Sequence, residues 1–403
     1  MPRLIATAAI LMAWNGCHTL AGRFEEVWET LVGMFPGRRR VGKSYTGFIE
    51  ALKRWSAALL ALVGPALWAA MRAMAGEHWT REGFVAIAAD GTRVESPRTK
   101  ANQKALGRGG RKKTGPQFWL TTLWHMGLGL PWAWKIGPGT DAERTHLREM
   151  LGLLPEAALL VADAGFVGYE LMRDILGSGR SFLIRVGSNV TLLQKLGYAK
   201  VEDGQTVYLW PQKAQSNNGS VPLVLRLIVL ERHGKAIYLL TNKTAQEMSD
   251  KQASILYGLR WGVEVFYRSM KSTLGHRKML SDAPAQARME LEWTLVGMQL
   301  LGLLSVEPIV GKGKDPLSWS VAAALRSIRR VACGRAPDPH ARGGLSAALG
   351  KATKDSYVRQ GSKTARDWAH KKNDPPAGPP KIRNAKPTEL QKARKLSDKK
   401  PAA

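Results

Sequence analysis

Residues 84–92 have the sequence FVAIAADGT, in which a run of six apolar residues ends in Asp90. Residues 157–165, AALLVADAG, follow the same pattern and end their apolar run in Asp163. Short apolar runs bounded by a turn are typical of buried β-strands. One aspartate in such a place is explained by a capped turn. Two of them at the ends of neighbouring strands indicate carboxylates that converge in space.

The segments around these strands predict a mixed α/β fold. Between residues 84 and 186 the order is strand, strand, strand, helix, strand, helix, strand. Hairpin-like links followed by crossover helices favour a mixed sheet with helices on its faces. Residues 190–245 contain only strand patterns and are interpreted as a β insertion. A long helix is then expected from Asp250 to Leu274, with Ser249 as its N-cap.

The chain is expected to contain five successive regions. The first is an all-helical N-terminal domain, which is either a DNA-binding domain or a support and dimerisation module. The last is basic, rich in Pro and Lys, and expected to be partly disordered from about residue 370. The predicted regions are the N-terminal domain at 1–80, the first part of the core at 81–189, the β insertion at 190–245, the core helices at 246–310, and a helical then basic tail at 311–403.

Composition narrows the class of partner. The 403 residues carry 60 Lys and Arg against 32 Asp and Glu, a formal charge of +28. Such an excess favours a polyanionic partner, with nucleic acid first. The hydrophobic content of 44% excludes a wholly disordered basic protein, and two cysteines exclude a disulfide framework and indicate a reducing cytosol. No apolar run reaches ~20 residues, so no membrane span is expected.

The predicted long helix carries a polar stripe. At about 100° per residue, Tyr257, Arg260, Glu264 and Lys271 lie within about 60° of one another. A separate apolar stripe allows the helix to pack on the sheet and present this face at its edge. Glu264 would then face the two aspartates, and hard carboxylate oxygens suit Mg²⁺ or Mn²⁺. The alternative is a solvated Arg–Glu pair on an ordinary amphipathic helix.

A basic stretch follows the first aspartate. Residues 98–113 contain seven cations and no acid, and we interpret them as a loop that follows a phosphate backbone. A solvated flexible loop is the alternative. The candidate DNA contacts in it are Arg108, Arg111, Lys112 and Lys113.

The spacing Tyr257-x2-Arg260-x3-Glu264-x6-Lys271 resembles the Tyr-Arg-Glu-Lys signature of a large bacterial insertion-sequence transposase family, the insertion-sequence-four type. These are DDE transposases with a ribonuclease-H-like core. The contexts Asp90-Gly91-Thr92 and Asp163-Ala164-Gly165-Phe166 are also similar, as is the β insertion. Ala164 departs from the family, which more often has arginine there, and this removes one possible phosphate contact. The resemblance covers roughly residues 80–305.

The resemblance implies roles for these residues. Asp90, Asp163 and Glu264 would be the catalytic residues and would bind two Mg²⁺ ions, for which Mn²⁺ would substitute. Tyr257, Arg260 and Lys271 would contact DNA near the scissile phosphate.

The same resemblance implies a reaction and its setting. Family members cut double-stranded DNA at terminal inverted repeats and join the 3′ ends to target DNA, without a nucleotide cofactor. A homodimer in the cytoplasm, at the bacterial nucleoid, is expected. Two alternatives stay open, a nuclease of the same fold without strand transfer and a catalytically inactive, domesticated DNA-binding protein.

Some family members form a DNA hairpin, which requires a base to leave the stack. Trp210, the only tryptophan of the β insertion, is a candidate to receive that base. Packing of Trp210 within its own sheet is the alternative, and the more ordinary role for a strand tryptophan.

Overall fold

The computed structural model describes residues 2–35, 42–109, 115–211, 220–232, 234–332, 344–355 and 378–397. The chain divides into two compact units, each built from three separated segments. Unit 1 comprises Met1–Arg81, Asp90–His146 and Trp261–Asp355. Unit 2 comprises Glu82–Ala89, Leu147–Arg260 and Ser356–Ala403.

Ten strands and twelve helices are formed by the described residues. The strands are β1 (Ala86–Glu95), β2 (Gln117–His125), β3 (Leu130–Pro138), β4 (Leu159–Ala162), β5 (Ser181–Val186), β6 (Thr191–Gln194), β7 (Thr206–Leu209), β8 (Leu223–Arg232), β9 (Lys235–Thr241) and β10 (Lys381–Asn384). The helices are α1 (Pro2–Trp14), α2 (Leu20–Met34), α3 (Tyr45–Ala75), α4 (Lys100–Leu106), α5 (Glu143–Met150), α6 (Tyr169–Gly177), α7 (Asp250–Leu259), α8 (Trp261–Arg268), α9 (Pro284–Val310), α10 (Val321–Ala332), α11 (Gly344–Leu349) and α12 (Pro387–Ser397).

Unit 2 contains the larger part of the sheet. Its strands lie in the order β10-β6-β7-β8-β9-β5-β4 and end with the first half of β1. β1, β4 and β5 are parallel, whereas β5–β9, β9–β8, β8–β7 and β7–β6 are antiparallel. The predicted mixed sheet is therefore confirmed. The predicted β insertion contains β6 to β9.

Unit 1 combines the helical N-terminal region with β2, β3 and the second half of β1. Helix α9 forms the centre of its core, with α1 and α3 packed against it. The Trp14 indole donates to the carbonyl of Gly297, and the Trp293 indole donates to the Ser56 hydroxyl. β2 and β3 form an antiparallel hairpin. The prediction of helices in the first 80 residues is confirmed.

The predicted single helix from Asp250 to Leu274 is wrong in its continuity. It ends as α7 at Leu259, resumes as α8 at Trp261, and passes into a π-helical turn at Ser269–Thr273. The Ser249 N-cap is present, with a full capping box to Gln252. A π-helical turn places side chains off the regular 100° spacing, and such turns are frequent at functional sites.

Two further segments differ from the sequence predictions. Part of the predicted basic loop is helical, since α4 spans Lys100–Leu106 and Thr99 caps it. In the tail, expected to be disordered from about residue 370, Lys381–Asn384 form β10 and Pro387–Ser397 form α12. The strand is stabilised by pairing with β6, and the helix by burial of its apolar side.

The expectation that no segment has membrane-spanning length is not met. By length and composition alone, Tyr45–Trp79 and Pro284–Val310 are long and apolar enough to cross a membrane. The second is 72% buried within the protein, as the core helix of a soluble protein is, and the first is 17% buried. Such helices are weak indications of a membrane, because core helices pass the same test.

Candidate active site

Each aspartate directly follows the paired segment of β1 and β4, but the predicted strand end at Asp90 is wrong, because β1 continues through Asp90 to Glu95. In unit 2, Ala89 of β1 and Ala162 of β4 are register partners, and each is directly followed in the chain by an aspartate. Asp90 Oδ1 accepts the N–H of Gly91 at 2.9 Å, and Asp163 Oδ1 accepts the N–H of Ala164 at 2.8 Å. Each carboxylate thus accepts the N–H of the next residue, Asp90 within β1 and Asp163 at the start of the 3-10 turn Ala164–Phe166.

In unit 2, Asp163 lies beside a tyrosine and an arginine. The Tyr257 hydroxyl donates to Asp163 Oδ1 at 3.4 Å, and an Arg185 guanidinium nitrogen lies 3.9 Å from the same oxygen. The Arg260 guanidinium lies over the Tyr257 ring, 5.4 Å from its centroid. Burial, and then the charge of Asp163, raises the pKa of Tyr257, while Arg260 and Arg185 lower it. Tyr257 is thus held as a neutral hydrogen-bond donor between a carboxylate and two cations.

Arg185 is a site residue that the sequence reasoning missed. It follows Ile184 on β5, and Ile184 is the register partner of Ala162 in the parallel β4–β5 pair. Arg185 and Asp163 are therefore neighbours across the sheet edge. The available signal was a charged residue in the otherwise apolar strand FLIRV at 182–186.

In unit 1, the helix of the signature holds the strand of Asp90 at two points. The Tyr267 hydroxyl donates to the backbone carbonyl of Asp90 at 2.7 Å, and Lys271 Nζ donates to the Thr92 hydroxyl at 2.6 Å. The two donors are four residues apart along the helix, and the two acceptors are two residues apart along β1. We call this pair of hydrogen bonds the clasp. It fixes the register of the helix against the strand.

Burial and neighbouring charges shift the pKa values of both donors of the clasp. Burial, followed by the positive charge of Arg277, lowers the pKa of Lys271, and the charges of Glu95 and Asp90 oppose this shift. Burial raises the pKa of Tyr267, and the charge of Asp90 adds to this effect. Tyr267 therefore stays a neutral donor. Lys271 carries its charge in a half-buried position against a neutral hydroxyl.

Glu264 belongs to the first turn of α8, three residues before Tyr267. Residues three apart share a helix face, so Glu264 lies one turn from the clasp. The opposite side of α8 packs on β2, with the rings of Phe266 and Trp124 5.1 Å apart. A Cβ at Gly262 would come within 2.9 Å of Trp124 Nε1, so glycine is needed for this close approach. This packing fixes α8, and with it Glu264, relative to β2.

Signature residues thus meet both aspartate strands, each within its own unit. In unit 2, Tyr257 and Arg185 contact Asp163 and Arg260 lies over the Tyr257 ring. In unit 1, Lys271 contacts the strand of Asp90, and Glu264 lies on the same helix, three residues before Tyr267. Within the described ranges, no group of three or more His, Cys, Asp or Glu side chains that could hold a metal is formed.

The remaining predicted DNA contacts lie in the basic stretch 98–113 and at Trp210. Arg108 is exposed and lies in a short β-bridge with Pro116. Arg111, Lys112 and Lys113 lie outside the described residues. Trp210 is 6% exposed and its indole donates to the carbonyl of Ser220 at 3.0 Å, which is the packing role rather than an open stacking platform.

Comparison with known proteins gives the family. Residues 81–297, more than half of the chain, match the family described as transposase DDE domain. The chain is 24% identical over 284 residues to "Transposase InsG for insertion sequence element IS4" of Escherichia coli (strain K12), a match that covers 65% of this chain and 62% of that relative.

A solved structure is also similar. It is described as "Cryo-EM structure of piggyBac transposase synaptic complex with hairpin DNA", with 13% identity and a TM-score of 0.39. That similarity covers 70% of this chain and 59% of the other. The family match and the Escherichia coli relative confirm the resemblance carried by the Tyr-Arg-Glu-Lys spacing. The chain belongs to the DDE-domain transposases, and it is similar to a transposase of the insertion-sequence-four type.

Proposed function

We propose that this protein cleaves DNA at the terminal inverted repeats of an insertion sequence and joins the 3′ ends to target DNA. Two contacts of signature residues carry the proposal. The Tyr257 hydroxyl contacts Asp163 in unit 2, and Lys271 contacts Thr92 on the strand of Asp90 in unit 1. A relative described as an insertion-sequence transposase supports the same reaction. The proposal includes a ribonuclease-H-like core around the parallel strands β1, β4 and β5.

The donor chemistry of the proposed site fits a divalent cation. Asp90, Asp163 and Glu264 would hold Mg²⁺ or Mn²⁺, because carboxylate oxygens are the ligands that these hard cations prefer. Two such ions would supply charge neutralisation for the attacking and leaving oxygens of a phosphoryl displacement. Each aspartate directly follows a residue of the Ala89–Ala162 register pair, which favours a shared role.

The remaining side chains bind and orient the DNA end. Arg185 and Arg260 in unit 2, and Lys271 in unit 1, would contact the scissile phosphate, where negative charge increases in the transition state. The guanidinium of Arg185 suits bidentate binding of phosphate oxygens. Tyr257 donates a hydrogen bond and stays neutral, because burial and Asp163 raise its pKa. We propose a homodimer that holds two DNA ends in the bacterial cytoplasm.

The test is an end-cleavage assay in vitro. Purified full-length protein is mixed with donor DNA that carries the terminal repeats of the element, in Mg²⁺ or Mn²⁺. The matched control is Glu264→Gln, which keeps the shape of the side chain and removes its charge. Metal-dependent cleavage by the wild type that is lost in Glu264→Gln is the expected result. Equal cleavage by both proteins would place the active site elsewhere.

Two further readouts separate the alternative functions. Covalent joining of a donor 3′ end to target DNA is expected for a transposase, and its absence alongside cleavage would indicate a nuclease. DNA binding without cleavage in either metal would indicate an inactive DNA-binding protein.

A further inference from the structure

The C-terminal segment 378–397 is built into unit 2. β10 pairs in parallel with β6 over four residues, from Lys381 opposite Thr191 to Asn384 opposite Gln194. The helix α12 that follows buries Ala393 completely in an apolar cluster of the β insertion. That cluster includes Tyr208 and Trp210, and the Lys392 ammonium lies 5.8 Å from the Trp210 ring. The segment is therefore a fixed part of the sheet end.

The segment 378–397 carries an excess of positive charge. It contains six cations and one acid, Glu389. Glu389 accepts two hydrogen bonds from the Arg383 guanidinium, at 2.6 and 2.8 Å, and the N–H of Lys386 at 2.7 Å. The acid thus stabilises the turn between β10 and α12 and is occupied by it. The exposed cations of the segment are Lys381, Lys386, Arg394 and Lys395.

We propose that Lys386, Arg394 and Lys395, which we call the tail platform, bind the phosphate backbone of duplex DNA. The proposal rests on the DNA substrate of the proposed function and adds a second contact surface to it. Lys386 directly precedes α12, and Arg394 and Lys395 lie in its last turn, so their backbone is already ordered. Phosphate binding therefore releases counterions without first ordering a flexible tail. A free basic tail would lack this advantage.

The sheet gives the distance of this surface from the cleavage site. In unit 2, β10 is six strand intervals from β4, at whose end Asp163 lies. At about 4.8 Å per interval this is about 29 Å. B-DNA rises about 3.4 Å per base pair, so a duplex along the sheet meets the tail platform about eight to nine base pairs from the end held at Asp163.

The experiment compares salt dependence on two duplexes. Binding of the full-length wild type is measured against salt on a terminal-repeat duplex of about 20 base pairs and on one cut to about 6 base pairs beyond the cleavage point. The variant is the triple substitution Lys386→Gln, Arg394→Gln and Lys395→Gln. The control is Lys386→Arg, Arg394→Lys and Lys395→Arg, which keeps every charge.

The expected result depends on duplex length. On the long duplex, the glutamine variant should lose about 0.9 from the slope of log affinity against log salt for each phosphate contact removed, about 2 to 3 in all. On the short duplex it should equal the wild type, and the charge-keeping control should equal the wild type on both.

Three results would overturn the proposal. Equal slopes for the glutamine variant and the wild type on the long duplex would mean that the tail platform does not contact DNA. An equal loss on both duplexes would exclude a contact remote from the cleavage site. Failure of the wild type to bind either duplex would overturn the proposed function and this inference together.

Discussion

Replacing Thr92 by valine removes one of the two hydrogen bonds of the clasp without changing the size of the side chain. Lys271 Nζ donates to the Thr92 hydroxyl at 2.6 Å, a charge-assisted bond. Such bonds contribute about 1.5–3 kcal/mol, and the half-buried position of Lys271 favours the lower part of that range, about 1.5–2 kcal/mol. If Lys271 binds the scissile phosphate only when so held, end cleavage should slow by about 10- to 30-fold.

The assay is single-turnover end cleavage with Mg²⁺, over a range of pH. Thr92→Ser keeps the hydroxyl and should cleave like the wild type. Loss of the acceptor lowers the pKa of Lys271 further, in the direction in which burial and Arg277 already shift it. The alkaline limb of the pH profile should therefore move to lower pH in Thr92→Val.

A double-mutant cycle decides whether the two residues act together. Because Thr92 is expected to act through Lys271, adding Thr92→Val to Lys271→Ala should cause no further loss. Additive losses, or wild-type rates for Thr92→Val, would refute the reasoning and leave the clasp as a purely structural contact.

Three other substitutions test the site and its support. Arg185→Ala should slow end cleavage about 10²-fold, as loss of one charge-stabilising donor does, and Arg185→Lys should retain part of the rate. Equal cleavage rates for both variants and the wild type would show that Arg185 does not belong to the site. Burial lowers the pKa of His125 to about 4, so on acidification this residue takes up a proton in the unfolded chain before it does so in the folded one. The free energy of unfolding should therefore fall by about 2 kcal/mol from about pH 8 to pH 5 because of His125. His125→Asn keeps an acceptor for the Leu128 N–H and should show a pH-dependent loss smaller by that amount in urea unfolding, whereas an unchanged loss would exclude His125 as its source. An added Cβ in Gly137→Ala would lie 2.7 Å from Nε2 of the buried His146 and 2.0 Å from Asp141 Oδ2, to which that nitrogen is hydrogen-bonded. Thermal unfolding should therefore show a destabilisation of about 1–3 kcal/mol that Gly152→Ala, with nothing within 4 Å, does not.

The features predicted from sequence are those that depend on local pattern. Apolar runs that end in Asp90 and Asp163 predict strand ends, and the 3.6-residue period predicts the helix of the signature. The strand end at Asp163 is present, whereas β1 continues through Asp90 to Glu95. The helix of the signature forms as α7 and α8 rather than as one helix, and its start is correct because the N-cap at Ser249 acts over a few residues. The family resemblance follows from the same local spacing.

The features missed depend on contacts between distant parts of the chain. The position of Arg185 beside Asp163 follows from the register of β4 with β5, which no pattern within β5 encodes. The change to a π-helical turn at Ser269–Thr273 accompanies the bond from Lys271 to Thr92, 179 residues away in sequence. The tail was expected to be disordered because its own composition is basic and rich in Pro. Its described segment 378–397 is folded, because Ala393 packs into an apolar cluster supplied by the β insertion.

Two cations with little solvent exposure, Arg226 and Lys271, differ in their partners. This difference shows which cation stabilises the fold and which is available to DNA. Arg226, 8% exposed, donates to the Asp250 carboxylate, to Gln205 and to the Met248 carbonyl, so its charge is neutralised inside unit 2. Lys271 is held by a neutral hydroxyl, which fixes the ammonium in place and leaves its charge uncompensated by that contact. A half-buried charge of this kind is destabilised in the free protein, as its lowered pKa indicates, and a phosphate oxygen would stabilise it. Positioning by a neutral acceptor is thus what makes Lys271 suited to bind an anion, and a carboxylate at Thr92 would abolish that capacity while strengthening the clasp.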